Sequence, residues 1–163
     1  MFDHEIREAA EHVLEVCRRK KLRVVTAESC TGGLIAGALT AIAGSSDVVD
    51  RAFVTYSNEA KLEMIGVPWD AILGHGAVSE PVARAMAAGA LARGNAQIAV
   101  SVTGVAGPGG GTALKPVGTV HLAAARANRP ILHERLDLGP LSRAEIRLLS
   151  VEAALTLLRR AIG

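Results

Sequence analysis

Ser29, Cys30, Tyr56 and Lys61 are the side chains of this 163-residue chain whose types and settings point to covalent chemistry. Ser29 and Cys30 lie in the run Val24 to Gly33, V-V-T-A-E-S-C-T-G-G, where β-branched residues lead into a pair of glycines and then an apolar stretch, Leu34 to Ile42. That order predicts a strand ending in a tight turn at a helix N-terminus. Open α/β sheets bind their ligands at this edge. The first N–H groups of such a helix have no internal partner and suit a phosphate, a carboxylate or a developing oxyanion. Ser29 is then a candidate nucleophile, with oxyanion donors in the turn itself. The competing reading is that Ser29 or Thr31 only caps the helix.

The second group is Thr55-Tyr56-Ser57-Asn58-Glu59-Ala60-Lys61, with the sole tyrosine at a strand end and Lys61 one turn into the next helix. If this strand end lies beside the first, Tyr56 and Lys61 face Ser29. A lysine in a partly dry cleft loses basicity and can take a proton from a serine hydroxyl. Against this stands the usual fate of a helix lysine, a solvated surface charge. Cys30 is a rival nucleophile, because a helix N-terminus lowers a thiol pKa. Adjacent residues of an extended segment face opposite ways, so Ser29 and Cys30 are not expected to line one site together. His75, just before a helix cap, is a rival base. His121 alternates within a strand as a structural residue, and His4, His12 and His133 read as surface residues. No His/Asp/Glu grouping has metal-ligand spacing, so neither a metal nor another cofactor is expected.

The elements that must position these groups follow from periodicity and punctuation. Asp3 caps a helix with its apolar side at Ile6, Ala9, Ala10, Val13, Leu14 and Cys17, closed by basic residues Arg18 to Lys21. Leu22 to Ala27 is the first strand; Gly44-Ser45-Ser46 breaks the chain before a second strand, Ala52 to Tyr56. Asn58 is the expected cap of a helix from Glu59 to Ile65, and Trp69 to Leu73 one further turn closed by Gly74. Ser79 and Pro81 open an Ala-rich helix to Arg93, stopped by Gly94. Ile98 to Thr103 is a buried strand, Gly104 to Gly111 a glycine-rich loop, and Val117 to Ala125 and Ile131 to Leu138 are strands. Ser142 and Glu145 form a capping box for a last helix to about Ile162. The alternation predicts an α/β fold, a three-layer α/β/α sandwich with a mixed, mostly parallel sheet, as a single domain over residues 1–163.

Composition narrows the function. Only 2% of residues are aromatic while 50% are hydrophobic, so the core must be aliphatic. With a net charge of +2 and no stacking platform, a nucleic-acid partner is not expected. Two cysteines are too few for a disulfide scaffold. No apolar run approaches the ~20 residues of a membrane span, so a cytoplasmic protein without a membrane partner is expected. The glycine-rich loop fits neither a phosphate-binding Gly-Lys-Ser/Thr motif nor a dinucleotide fingerprint, since Lys115-Pro116 and a strand follow it. It remains a loop whose backbone can approach a ligand closely.

Five stretches together resemble the CinA C-terminal domain family, the PncC-type nicotinamide-nucleotide amidases. They are T-A-E-S-C-T-G-G from Thr26, F-V-T-Y-S-N-E-A-K from Phe53, H-G-A-V-S-E-P-V from His75, S-V-T-G-V-A-G-P-G-G from Ser101 and K-P-V-G-T-V from Lys115. The resemblance implies metal-free hydrolysis of the carboxamide of nicotinamide mononucleotide to nicotinic acid mononucleotide and ammonia. It assigns Ser29 as nucleophile, Lys61 as general base and Tyr56 as its helper, with the backbone of Cys30, Thr31, Gly32 and Gly33 taking the oxyanion or phosphate. Thr103, Gly104, Gly107, Gly109, Gly110, Lys115 and Arg147 would bind the substrate, a small nucleotide. Members often carry G-D-R-x-x-V-R near the last helix; this chain has Gly139-Pro140-Leu141-Ser142-Arg143-Ala144-Glu145-Ile146-Arg147 instead. Larger relatives carry before this domain an N-terminal domain that resembles a molybdopterin-binding fold, and the resemblance gives no expectation of that domain's activity from these 163 residues. A catalytically silent nucleotide-binding or competence-related interaction module is the alternative function. A homo-oligomer is expected on the ground that an Ala-rich chain buries exposed apolar faces between subunits.

Overall fold

The computed structural model describes residues 1–163. Five strands form one sheet in the order β2-β1-β3-β4-β5. These are β1 (Val24–Glu28), β2 (Val49–Val54), β3 (Ile98–Gly104), β4 (Thr119–Arg126) and β5 (Leu132–Asp137). β1 pairs in parallel with β2 and β3, whereas β4 is antiparallel to both β3 and β5. Four of the five strands therefore run one way, and the sheet is mixed and mostly parallel as the alternation predicts. The helices are α1 (His4–Lys20), α2 (Leu34–Thr40), α3 (Asn58–Ile65), α4 (Trp69–His75), α5 (Glu80–Arg93) and α6 (Arg143–Ile162), with a 3-10 turn at Ser45–Asp47.

The core lies on both faces of the sheet, as an α/β/α sandwich requires. On one face Ile6, Val13 and Leu14 of α1, Ile35 and Leu39 of α2, and Ile146, Leu155 and Leu158 of α6 pack on Val24, Val100 and Leu122. On the other, Val82, Met86 and Ala90 of α5 with Ile65 and Ile72 cover Val25, Ala27 and Ala99. β1, β3 and β4 are buried along nearly their whole length, which explains their continuous apolar runs.

Local signals decide most of the boundaries. Asp3 accepts from the Ile6 N–H and Ser79 from the Val82 N–H, and the Ser142–Glu145 capping box is complete. Ser57, not Asn58, caps α3: its hydroxyl accepts from the Ala60 N–H, and Asn58 is the first helical residue. α4 runs through Gly74 to His75 and stops at Gly76, because hydrogen bonding carries a helix through a glycine at modest cost. β2 begins three residues before Ala52 and ends at Val54, since its pairing with β1 and not its hydrophobicity sets its span.

One close contact positions the lysine. A Cβ on Gly89 of α5 would lie 1.8 Å from the carbonyl oxygen of Ile65, the last residue of α3. Only glycine lets α5 approach α3 this closely. No helix is long and apolar enough to cross a membrane.

Candidate active site

The turn after β1 is built around Glu28. This carboxylate is fully buried and accepts from four donors: the hydroxyls of Thr26 (3.1 Å) and Thr31 (2.7 Å) and the N–H groups of Ile35 (2.8 Å) and Ala36 (3.0 Å). The N-terminus of α2 is thus filled by an internal anion and is not open to an external phosphate. Gly33 caps α2 in the left-handed region at φ +104, with no side-chain cap. Neither Ser29 nor Thr31 caps the helix, so the simple capping reading does not hold. The Gly32 N–H closes the turn on the Ser29 carbonyl (2.9 Å), while the N–H groups of Cys30, Thr31 and Gly33 meet no backbone carbonyl.

Ser29 and Lys61 come together. Lys61 Nζ lies 3.1 Å from Ser29 Oγ, and Lys61 is 1% exposed. The same nitrogen donates to the carbonyls of Thr55 (2.9 Å) and Tyr56 (3.3 Å) and approaches that of Ser57 (3.5 Å). The Thr55 N–H is bonded to the Glu28 carbonyl (2.9 Å), so the end of β2 is locked beside the end of β1 and brings Lys61 to the serine. Burial lowers the Lys61 ammonium to about 8, with Cys30 opposing the shift. At that value roughly a tenth of the amine is neutral at pH 7. A neutral amine has two N–H groups, which the Thr55 and Tyr56 carbonyls can take, leaving its lone pair for the serine hydroxyl.

Ser29, Cys30, Asn58, Thr103, Gly104 and Arg143 are among the residues lining a cavity of about 200 Å³, together with Tyr56 and Lys61. Ser29 and Cys30 thus share one site, contrary to the alternation argument. The strand ends at Glu28 and the chain turns at Ser29, so the period of two no longer applies. Cys30 is an unsuitable nucleophile: burial pushes its thiol up to about 11, in spite of the helix that follows. The Tyr56 hydroxyl accepts from Arg143 Nη2 (3.1 Å) and is hydrogen-bonded to neither Ser29 nor Lys61. Arg143 also donates to the Gly107 carbonyl (2.8 Å), joining α6, the glycine-rich loop and Tyr56.

The remaining expected ligands are spread more widely. Thr103 lines the cavity and donates to the Ala77 carbonyl (2.9 Å). Gly107, Gly109 and Gly110 stand outside the lining, and Gly109 and Gly110 are exposed. Lys115 Nζ is held by the His75 carbonyl, and the His75 side chain is exposed. Arg147 does not line the cavity but donates to the carbonyls of Cys30 (3.0 Å) and Thr31 (3.3 Å). His133 is not a free surface residue: it faces His121 across β4 and β5, ring nitrogens 2.9 Å apart, and burial lowers both, His121 to about 4. Glu28 and Asn58 are the residues the motifs did not single out for the site, and Arg143, in the altered motif before the last helix, is the arginine of that motif that lines the cavity. For Glu28 one signal was available, a carboxylate at the end of a buried strand, directly before Ser29.

The CinA C-terminal domain model matches residues 6–162. The chain belongs to the CinA C-terminal domain family. This CinA domain is similar to the nicotinamide-nucleotide amidohydrolase PncC of Escherichia coli (strain K12), 53% identical over 127 residues, 78% of this chain and 77% of that protein. It is also 53% identical over 139 residues to a CinA-like protein of Mycobacterium sp. (strain JLS), matching 85% of this chain and 33% of that protein. The CinA domain therefore spans about a third of the length of such curated relatives. Among solved structures, the competence/damage inducible protein CihA from Agrobacterium tumefaciens superposes with a TM-score of 0.97 at 53% identity, covering 98% of this chain and 97% of that one. A competence-damaged protein (CinA) superfamily member from Escherichia coli gives 0.91 at 31% identity, covering 99% and 93%.

Proposed function

We propose that this CinA domain is an amidohydrolase that deamidates nicotinamide mononucleotide through a serine nucleophile and a lysine base. The observation that carries the reading is the buried amine of Lys61 held 3.1 Å from the Ser29 hydroxyl. The likeness to the PncC amidohydrolase supports the substrate class. A silent binding module would have no use for a lysine kept out of water at the mouth of a helix turn, since burying an amine is costly.

In this reading the neutral Lys61 takes the Ser29 proton as Oγ attacks the carboxamide carbon. The N–H groups of Cys30, Thr31 and Gly33 receive the developing oxyanion. Lys61 returns the proton to the leaving nitrogen, the C–N bond breaks, and ammonia departs. Water, activated by the same amine, then hydrolyses the acyl-enzyme to the carboxylate. A cavity of about 200 Å³ is smaller than the ~300 Å³ at which drug-sized ligand pockets begin, so it holds the pyridine ring and leaves the ribose phosphate at its mouth. Arg143, the other cation of the lining besides Lys61, is placed to meet that phosphate, and Tyr56 holds its guanidinium. Thr103 and Gly104 line the ring side; Gly107 serves through its carbonyl grip on Arg143, and Gly109, Gly110 and Lys115 belong to the loop that covers the ribose. A homo-oligomer would bury the exposed Val54, Leu62, Met64, Trp69 and Leu73 of β2, α3 and α4.

The test is ammonia release from nicotinamide mononucleotide by the wild type, Ser29→Ala and Lys61→Ala, with and without a chelator. Release that survives chelation and is lost in both variants supports the reading. A folded wild type that releases none refutes it.

A further inference from the structure

We infer that Glu28 and Arg147 act as a pair of positioning residues that clamp the serine turn from its two sides and set the direction of its N–H groups. The inference rests on the amidase reading for its kinetic consequence. Its structural content stands on hydrogen bonds alone.

Glu28 gathers the donors on one side. Each of its oxygens takes one hydroxyl and one N–H: Oε1 those of Thr31 and Ile35, Oε2 those of Thr26 and Ala36. Because the Thr26 hydroxyl belongs to β1 and the Ile35 and Ala36 N–H groups to α2, this one carboxylate ties strand, turn and helix together. Arg147, half-buried on α6, gathers the acceptors on the other side. Its Nε donates to the Cys30 carbonyl at 3.0 Å and its Nη2 to the Thr31 carbonyl at 3.3 Å.

The peptide planes translate this grip into direction. In a trans peptide the carbonyl of one residue and the N–H of the next point opposite ways, and the turn holds no cis bond. With the Cys30 carbonyl drawn to Arg147, the Thr31 N–H faces away from it. With the Thr31 carbonyl drawn the same way, the Gly32 N–H turns back to the Ser29 carbonyl. The guanidinium fork can grip two adjacent carbonyls at once, which a lysine ammonium on a flexible stem does poorly. Arg147 is therefore assigned to the turn and not to the substrate. Gly32 sits in the left-handed region at φ +55, which favours glycine, and a Cβ there would reach Arg147 Nη2 only at van der Waals contact, 3.4 Å.

The experiment compares the wild-type chain with Glu28→Gln and Arg147→Lys. Each substitution is expected to lower kcat about tenfold to a hundredfold, as small misplacements of reacting groups do, with KM for nicotinamide mononucleotide within about threefold. Amide hydrogen exchange at Gly32, Leu34, Ile35 and Ala36, whose N–H groups are bonded within the turn, should speed up about tenfold while β1 and β3 stay protected. If Glu28→Gln does not fold, Thr31→Val removes one of the four bonds and should give a smaller loss in the same direction. Unchanged exchange in the turn overturns the clamp whatever the activity. An Arg147→Lys enzyme with a raised KM and normal kcat overturns it too, because Arg147 would then be a substrate ligand. A wild type that releases no ammonia sinks the amidase reading alone, and the exchange measurement still judges the clamp.

Discussion

The nitrogen of Lys61 lies between Ser29 Oγ at 3.1 Å and the Thr55 carbonyl at 2.9 Å, a hydroxyl that would give up its proton on one side and a fixed acceptor on the other. Burial lowers the lysine to about 8. Below that value the amine is protonated and has no lone pair for the serine; above it the base is free. Activity should therefore rise with pH and level off above an apparent pKa of about 8, read from the log of kcat/KM between pH 6 and 10. A profile flat across this range would remove Lys61 as the base.

Lys61→Arg should reduce kcat about a hundredfold or more. A guanidinium keeps its proton throughout this pH range, and general bases contribute about 10²–10⁴-fold. Single-turnover rates of ammonia release would show it, and a variant within tenfold of wild type would contradict the mechanism.

Cys30→Ala should keep kcat within about threefold. The thiol is pushed up to about 11, so at pH 7 it is protonated, and any oxyanion role belongs to the backbone N–H, which alanine retains. Loss of activity in this variant together with survival in Ser29→Ala would identify a cysteine enzyme.

Gly89→Ala should cost about 1–3 kcal/mol of stability, because a methyl group placed 1.8 Å from the Ile65 carbonyl forces α5 and α3 apart. As α3 carries Lys61, kcat should fall by more than the loss of folded protein explains. Thermal melting and kinetics on the same sample separate the two effects.

Arg143→Ala should raise KM for the mononucleotide by about tenfold and leave KM for the dephosphorylated nucleoside nearly unchanged, since a charge-assisted bond to phosphate is worth about 1.5–3 kcal/mol. Equal effects on both substrates would place the phosphate elsewhere.

Much of this protein was legible in one dimension. The cap at Asp3, the capping box of Ser142 and Glu145, and the apolar runs of β1, β3 and β4 are local signals, and local hydrogen bonding or burial decides them. The order of helices and strands implied the α/β/α layering, and Ser29 and Lys61 stood out by type and setting. Cys30 and His133 show where local rules stop. A pleat argument fails once the chain leaves the strand, and a histidine on a strand near the end of a sheet is wet or buried according to what packs over it.

What tertiary structure alone decided is which groups meet. The sequence by itself could specify a serine after a strand and a lysine in a helix 32 residues later. It could not specify that the Thr55 N–H pairs with the Glu28 carbonyl, or that Gly89 lets α5 seat α3 so that the amine reaches the serine. Nor could it show that Glu28 fills the helix N-terminus, or that Arg143 and Arg147, four residues apart on one helix, face a cavity and a turn respectively. Hydrogen bonds and burial between distant segments depend on register and packing, which are set only when the sheet and its two helical layers close together.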